Sequence, residues 1–145
     1  MRDLKTQNGA SNQISGVAGV HFVAGELSRQ NYIALPTVRN TAGIDIVASN
    51  QKFSKTVNIQ VKTRTGSDTV WTFSKKRPKK YGDMVYVLVT LGSSNRCPEY
   101  YIVPYDHISR KYEEWQTKKP KRNNFRIKKE DRERYKGKWE RLGLN

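Results

Sequence analysis

The sequence predicts a single-domain α/β fold over residues 1–145, with a mixed, mainly antiparallel sheet flanked by helices. Three observations support this prediction. Residues 57–64 alternate apolar and polar side chains, as a strand with one buried face does. Residues 84–91 are almost continuously apolar, which indicates a central strand buried on both faces. Apolar side chains recur at three- or four-residue steps in residues 17–27 and 108–115, which predicts two helices that each pack one side.

The N-terminal half reads as a helix followed by three strands. Residues 1–13 are polar and predict a loose lead-in, after which Ser15 caps a helix that runs to about Gln30. Glycines in this helix would permit close packing against a sheet or a nucleic-acid backbone. Short turns separate the strands, which predicts an antiparallel meander of residues 32–38, 43–48 and 57–64. Pro36 places part of the first of these strands at an edge or a bulge.

The C-terminal half alternates basic segments with apolar elements. A short strand is expected at residues 71–73, followed by a flexible phosphate-binding loop at 75–80, where five of six residues are cations. The central strand 84–91 precedes a strand at 100–103 and a helix that begins at Asp106. Residues 117–145 form a basic C-terminal extension: a second mobile basic loop over 117–128, then a helix from Lys129 that places Tyr135, Trp139 and Leu142 on one face.

The charge of the chain points to a polyanionic partner. There are 28 Lys and Arg residues against 13 Asp and Glu, a formal net charge of +15. Nucleic acid is favoured over an anionic membrane, because no apolar run approaches the roughly 18 residues of a spanning helix. Charge that serves only solubility is the remaining alternative. A lone cysteine, Cys97, and the absence of a signal-peptide pattern predict a cytoplasmic protein without disulfides.

The polar side chains of two neighbouring strands suggest a metal site. Asp45 lies in one strand, and Gln60 and Lys62 share a face of the next. A carboxylate, an amide oxygen and the Val61 carbonyl are the hard donors that Mg²⁺ prefers, and Lys62 could orient the attacking water in phosphodiester hydrolysis. Glu26, at the edge of the apolar stripe of the first helix, could reach this site. The alternatives are a solvated helix glutamate, a turn aspartate, and the solvent face of an exposed strand.

The order of these residues resembles the PD-(D/E)XK nuclease superfamily, which has the restriction-endonuclease-like fold. The matching segments are Gly25-Glu26 in the first helix, Gly43-Ile44-Asp45, and Ile59-Gln60-Val61-Lys62. The apolar strand and the Tyr-Ile-Val-Pro strand are similar to those of the small Holliday-junction-resolvase-like members. The resemblance implies an αβββαβ core and a Mg²⁺-dependent endonuclease, with Mn²⁺ as an alternative metal. Gln60 stands where most members have Asp or Glu, although glutamine occurs there in some active restriction and homing enzymes.

By this resemblance the catalytic residues are Glu26, Asp45, Gln60 and Lys62, and the metal ligands are Asp45, Gln60, Val61 and Glu26. The expected partner is DNA, bound by a homodimer without membrane association. Two alternatives stay open: a catalytically inactive nucleic-acid-binding module of the same fold, and a basic RNA-binding protein. The expected nucleic-acid contacts are Arg64, Trp71, Lys75, Lys76, Arg77, Lys79, Lys80, Lys118, Lys119, Lys121, Arg122, Arg126 and Lys128.

Overall fold

The computed structural model describes residues 4–38, 43–66, 68–93, 95–118 and 124–145. Three α-helices lie in these residues: α1 (Leu4–Arg29), α2 (Tyr105–Lys118) and the four-residue α3 (Arg132–Tyr135). The strands are β1 (Ile33–Pro36), β2 (Ile46–Ser49), β3 (Thr56–Arg64), β4 (Val70–Thr72), β5 (Met84–Thr90), β6 (Glu99–Pro104) and β7 (Asn124–Arg126). None of the helices in the described ranges combines the length and the apolar character that crossing a membrane requires.

Five of the strands form one mixed sheet in the order β1-β2-β3-β5-β6. β3 and β5 run parallel, with Gln60 opposite Tyr86, and the other neighbouring strands are antiparallel. The predicted α/β class with a mixed, mainly antiparallel sheet is therefore confirmed. β5 is buried along its whole length, as its apolar run predicts, because it lies between β3 and β6 with a helix layer on each side.

The sheet has two differently covered faces. On the α1 face, Val23 and Leu27 of α1 pack against Ile59 and Val61 of β3. The α2 face carries Ile108 and Tyr112 of α2 packed with strand side chains that include Tyr86, Leu88 and Tyr101. The alternation in β3 therefore sends its apolar side chains to the α1 face and its polar side chains to the α2 face.

Helix α1 differs from the prediction at its start. It begins at Leu4 rather than near Ser15, so residues 4–13, expected as a loose lead-in, are helical. Of Gly16, Gly19 and Gly25 in this helix, only Gly19 lies against the sheet, where it faces Thr63 of β3. Gly16 and Gly25 face open space, so packing does not explain them.

The connection between β3 and β5 differs from the core that the resemblance implies. Its described residues hold the short strand β4, which was predicted, and no helix. β4 pairs with β7, so part of the segment expected as a mobile loop over residues 117–128 is a strand. Residues 119–123 of that loop lie outside the described residues. Helix α2 covers this face of the sheet instead, through Ile108 and Tyr112.

The prediction of a single closing helix from Lys129 is wrong. The chain forms two short 3-10 turns and α3, and it is interrupted at Gly137, whose φ of 65° is left-handed. The Gly137 amide donates to the Tyr100 carbonyl at 2.9 Å, so the segment pairs briefly with β6. Tyr135 consequently packs on the α2 face, whereas Trp139 packs on the α1 face. The C-terminal segment therefore passes around the edge of the sheet at β6 and contacts both sheet faces, instead of packing as one helix with a single apolar face.

His107 of α2 joins this C-terminal segment to the rest of the fold by a hydrogen bond with Tyr135. Burial lowers the pKa of His107, and neighbouring cations lower it further, namely Arg110, Arg134 and Lys111. A depressed folded pKa means that the unfolded chain binds the proton more tightly. Stability from this group is therefore fully present above the unfolded pKa of about 6.5 and is lost as the pH falls toward the folded value.

We accordingly expect the melting temperature of His107→Gln to depend less on pH than that of the parent chain between about pH 7 and pH 5. Thermal melts across this range measure the difference. His21→Gln is the matched control, because His21 lies exposed on α1. A parent chain and a His107→Gln variant with parallel melting curves would contradict the prediction.

Candidate active site

The candidate site forms where β3 extends past the end of β2. β2 begins at Ile46, which pairs with Ile59, so the strand ladder on this side stops before Val61. The carboxylate of Asp45 replaces the missing strand partner, because its Oδ2 accepts a hydrogen bond from the Val61 N–H at 2.7 Å. The Asp45 amide itself donates to the Ile59 carbonyl at 2.8 Å, which fixes the backbone below the carboxylate. Because the N–H and C=O of one strand residue point to the same side, the Val61 carbonyl also faces Asp45.

Gln60 and Lys62 lie two residues apart on the α2 face, where they line a cavity of about 230 Å³. Buried aromatic rings form the rest of its inner wall: Phe73, Tyr86 and Tyr112. The Lys62 ammonium lies 5.5 Å from the centre of the Phe73 ring, a cation–π distance that holds the side chain against the wall. Asp45 does not line this cavity, but its charge acts on both Lys62 and Tyr86, which do. The structure thus brings three predicted site residues together.

Burial shifts both charged groups of the site toward their neutral forms. It raises the pKa of Asp45, against the opposing effects of the Val61 hydrogen bond and the positive charge of Lys62. Burial also lowers the pKa of Lys62, and the negative charge of Asp45 opposes this shift only in part. A carboxylate and an ammonium with opposed, burial-driven pKa shifts in one cleft are typical of a functional site.

The outer wall of the cavity is the basic strap, residues 74–81. This segment was expected to be flexible, but it is fastened to α2. Arg77 donates to Ser109 at 2.6 Å and to Glu113 at 2.7 Å. The Tyr105 hydroxyl donates to the Pro78 carbonyl at 2.7 Å, and the Tyr112 hydroxyl donates to the Ser74 carbonyl. These partners come from one side of α2, so the strap is held over the face that carries Gln60 and Lys62.

The cations of the strap divide into two groups. Arg77 and Lys80 make ion pairs with α2, Lys80 with Asp106 at 3.7 Å. Lys75, Lys76 and Lys79 are exposed to solvent, and the last two line the cavity. The exposed lysines are therefore placed to meet an anion that enters the cavity.

Glu26 does not join the site. Its helix packs on the opposite face of the sheet, through Val23 and Leu27. Its carboxylate accepts hydrogen bonds from Arg29, at 3.0 and 2.7 Å, and from Gln30 at 2.9 Å. The Arg29 hydrogen bond is the main cause of its lowered pKa. The predicted role of Glu26 as catalytic residue and metal ligand is therefore wrong for the arrangement seen here.

Of the expected nucleic-acid contacts, Trp71 needs correction, whereas the contact predicted for Arg64 stays a prediction. Trp71 is only 2% exposed, donates its indole N–H to the Val89 carbonyl at 3.1 Å and packs edge-on against Tyr101. It is a core residue of the α2 face. Arg64 is half-buried and donates to Asp68 at 2.6 Å and to the Val70 carbonyl at 3.1 Å, which orders the turn into β4.

The remaining expected contacts lie in the C-terminal extension. Arg126, the last residue of β7, and Lys128, which follows the strand, are both exposed. The expected contacts at Lys119, Lys121 and Arg122 lie outside the described residues, as does the side chain of Lys118. What the sequence did not reveal is the aromatic wall of the cavity, although Tyr86 and Tyr112 both stand in recognisable apolar patterns.

The candidate metal donors of the site are all oxygen atoms, and one carboxylate supplies their negative charge. No group of three or more His, Cys, Asp or Glu side chains that could hold a metal ion occurs in the parts of the chain that the structure describes. Asp45 supplies one carboxylate, Gln60 an amide oxygen and Val61 a carbonyl, all hard donors that fit Mg²⁺ or Mn²⁺. With only one carboxylate oxygen engaged by the Val61 amide, the other is left for a cation.

Comparisons with known proteins identify no relative of the chain. No family model matches the sequence, and no curated protein or solved structure matches it.

Proposed function

We propose that the chain is a metal-dependent endonuclease that hydrolyses phosphodiester bonds of DNA, a nuclease of the PD-(D/E)XK type. The observation that carries this proposal is the convergence of Asp45, Gln60 and Lys62 beside a cavity whose outer wall is the basic strap. A hydrolytic site for a phosphodiester needs oxygen donors for a cation, a group that handles the proton of water, and positive charge for the phosphates. Gln60, Lys62 and the strap lysines Lys76 and Lys79 line one cavity, and Asp45 acts on Lys62 from beside it.

The chemistry divides among named groups. Asp45, Gln60 and the Val61 carbonyl would hold Mg²⁺ or Mn²⁺, which when bound supplies Lewis acidity at the scissile phosphate. Lys62 orients the attacking water and takes its proton, a role to which its lowered pKa is suited. Lys76 and Lys79 bind the phosphates at the rim of the cavity. The proposal includes a homodimer, because two copies related by a two-fold axis match the symmetry of duplex DNA. It also includes a cytoplasmic location.

One observation favours a second candidate, a nucleic-acid-binding module that does not cut. Asp45 is the one carboxylate of the proposed set, since Glu26 lies on the other face of the sheet and position 60 is a neutral glutamine. A site with a single negative charge binds a divalent cation more weakly than one with two or three. The basic strap would still bind phosphates without any hydrolysis.

A cleavage assay separates the two candidates. We expect the purified chain to cut plasmid, linear duplex or four-way-junction DNA when Mg²⁺ or Mn²⁺ is present, and to stop when EDTA is added. Lys62→Ala, purified in the same way, is the control for a contaminating nuclease and is expected to lose roughly 10²–10⁴-fold in rate. DNA binding without cleavage under every metal condition would reject the enzyme. Metal-independent binding that prefers RNA, without cleavage, would reject the nuclease and would make RNA the partner of the binding module.

A further inference from the structure

A second and larger cavity, of about 620 Å³, lies at the end of the sheet where β3 and β5 begin. Its walls come from the loop before β3, the start of β5, the start of α2 and the C-terminal 3-10 turn. None of its lining residues also lines the active-site cavity. It is therefore a separate feature that the proposed chemistry does not use.

The basic strap connects this second cavity to the first. Lys76 and Lys79 line the active-site cavity, and the next residue, Lys80, lines the second one. Two further exposed cations stand on its walls, Lys55 and Arg141. A track of cations thus runs from Lys62 in the first cavity, by way of the strap, to Lys55 and Arg141 in the second.

The other charges of the second cavity leave this track positive. Two acidic residues line it, and one of them, Asp106, pairs with Lys80 at 3.7 Å. Asp83 is the second. Arg141 lies with its guanidinium 5.6 Å from the centre of the Tyr135 ring, and Lys55 donates to the backbone oxygen of Asn145. The start of α2 on the same wall adds the positive end of a helix dipole.

The spacing of the two cavities fits two phosphates of one strand that lie several nucleotides apart. Val57 lines the second cavity, whereas Gln60 and Lys62 line the first, so three to five residues of β3 separate them. At about 3.3 Å per residue this is roughly 10–17 Å. Each strand of a duplex carries one phosphate per roughly 3.4 Å of helix axis, so this distance, measured along the axis, covers about three to five nucleotides.

We propose that the second cavity holds the phosphodiester backbone of the same nucleic acid, three to five nucleotides from the scissile bond, through Lys55 and Arg141. This inference rests on the proposal that a nucleic acid occupies the active-site cavity. Lys55 and Arg141 are then positioning residues, because they act on the register of the strand and not on the reacting phosphate.

The salt dependence of DNA binding tests this inference. Each phosphate contact contributes about 0.9 to the slope of log K against log salt concentration. We expect Lys55→Gln/Arg141→Gln to lower the slope by about 1.8 on a labelled duplex, and either single variant to lower it by about half as much. The measurement is fluorescence anisotropy in Ca²⁺ or EDTA, which keeps the duplex uncut.

The matched control is Arg29→Gln/Lys111→Gln. It removes the same charge, but Arg29 and Lys111 make ion pairs within their own helices and line neither cavity. An unchanged slope in the Lys55 and Arg141 variants would overturn the inference, as would an equal fall in the control. Thermal melts show that each variant is folded, and the Arg141→Gln single variant keeps the Lys55 contact to Asn145.

The outcomes separate this inference from the proposed function. A lowered slope in a chain that never cuts DNA supports the second cavity and rejects the nuclease. Cleavage with an unchanged slope supports the nuclease and rejects the second cavity.

Discussion

Asp45→Asn is expected to abolish metal-dependent cleavage, by about 100-fold or more, and to raise the melting temperature of the metal-free chain at neutral pH. The first effect follows because asparagine keeps an oxygen for the Val61 N–H but removes the one negative charge that would hold the cation. Parallel measurements of cleavage rate and thermal melting, both with and without Mg²⁺, check the two effects together.

The rise in stability follows from the direction of the pKa shift. Burial raises the pKa of Asp45 above its unfolded value of about 3.9, so the folded chain binds this proton more tightly than the unfolded chain. The stabilising contribution of the protonated group is fully present below the unfolded pKa and is lost as the pH rises through the folded pKa. At neutral pH the ionised carboxylate therefore costs stability, and asparagine removes this cost. Mg²⁺ is expected to raise the melting temperature of the parent chain and to leave that of Asp45→Asn unchanged.

Glu26→Gln is the sharpest control for this experiment. The resemblance to nucleases assigns Glu26 to the site, whereas the structure places its carboxylate with Arg29 and Gln30 on the other face of the sheet. We expect Glu26→Gln to cut DNA at the parent rate. A loss of cleavage equal to that of Asp45→Asn would show that Glu26 acts at the site and that this arrangement of α1 is not the active one.

Gly19→Ala is expected to destabilise the fold by about 1–3 kcal/mol. A Cβ atom at this position of α1 would lie within 2.9 Å of both Cβ and Cγ2 of Thr63, and closer still to its hydroxyl. The backbone of α1 or that of β3 must therefore shift to make room for one methyl group. Chemical denaturation in urea, with an unchanged m-value, measures the loss. Since Thr63 follows Lys62 in β3, we also expect cleavage to fall in this variant.

Two further variants serve as controls for the Gly19→Ala prediction. Gly25→Ala in the same helix meets no atom within 4 Å, so it is expected to be neutral or to stabilise by about 0.5–1 kcal/mol. Thr63→Ala in the Gly19→Ala background is expected to restore part of the loss. The Thr63 hydroxyl is buried without a hydrogen-bond partner, so its removal sacrifices no bond. Equal effects of Gly19→Ala and Gly25→Ala would contradict the close contact.

The strands of the sheet and the core of the site could be predicted because their signals are local. The alternation in β3 fixes which side chains share a face, and the uninterrupted apolar run of β5 fixes its central place. Asp45, Gln60 and Lys62 follow from these patterns once β2 and β3 are neighbours. The order of these residues along the sequence was therefore enough to predict that they lie close together.

The errors arose where the answer depends on which face or edge an element reaches. The apolar stripe of α1, at whose edge Glu26 lies, does not say on which side of the sheet the helix packs. A tryptophan between Val70 and Thr72 is compatible with a surface position as well as with the core. The order of the basic strap depends on Arg77 meeting Ser109 and Glu113, more than thirty residues along the chain. Gly137 interrupts the closing segment because its left-handed backbone lets the chain turn at the β6 edge.

The parallel pairing of β3 and β5 has a consequence for how this protein can change. Two parallel strands require a crossover connection, and here that connection, residues 65–83, contains the basic strap. Its length is therefore constrained by the sheet, whereas the exposed side chains of Lys75, Lys76 and Lys79 are not needed to link the strands. Point substitutions at these positions can therefore change the charge that the strap presents beside the cavity while the fold stays the same.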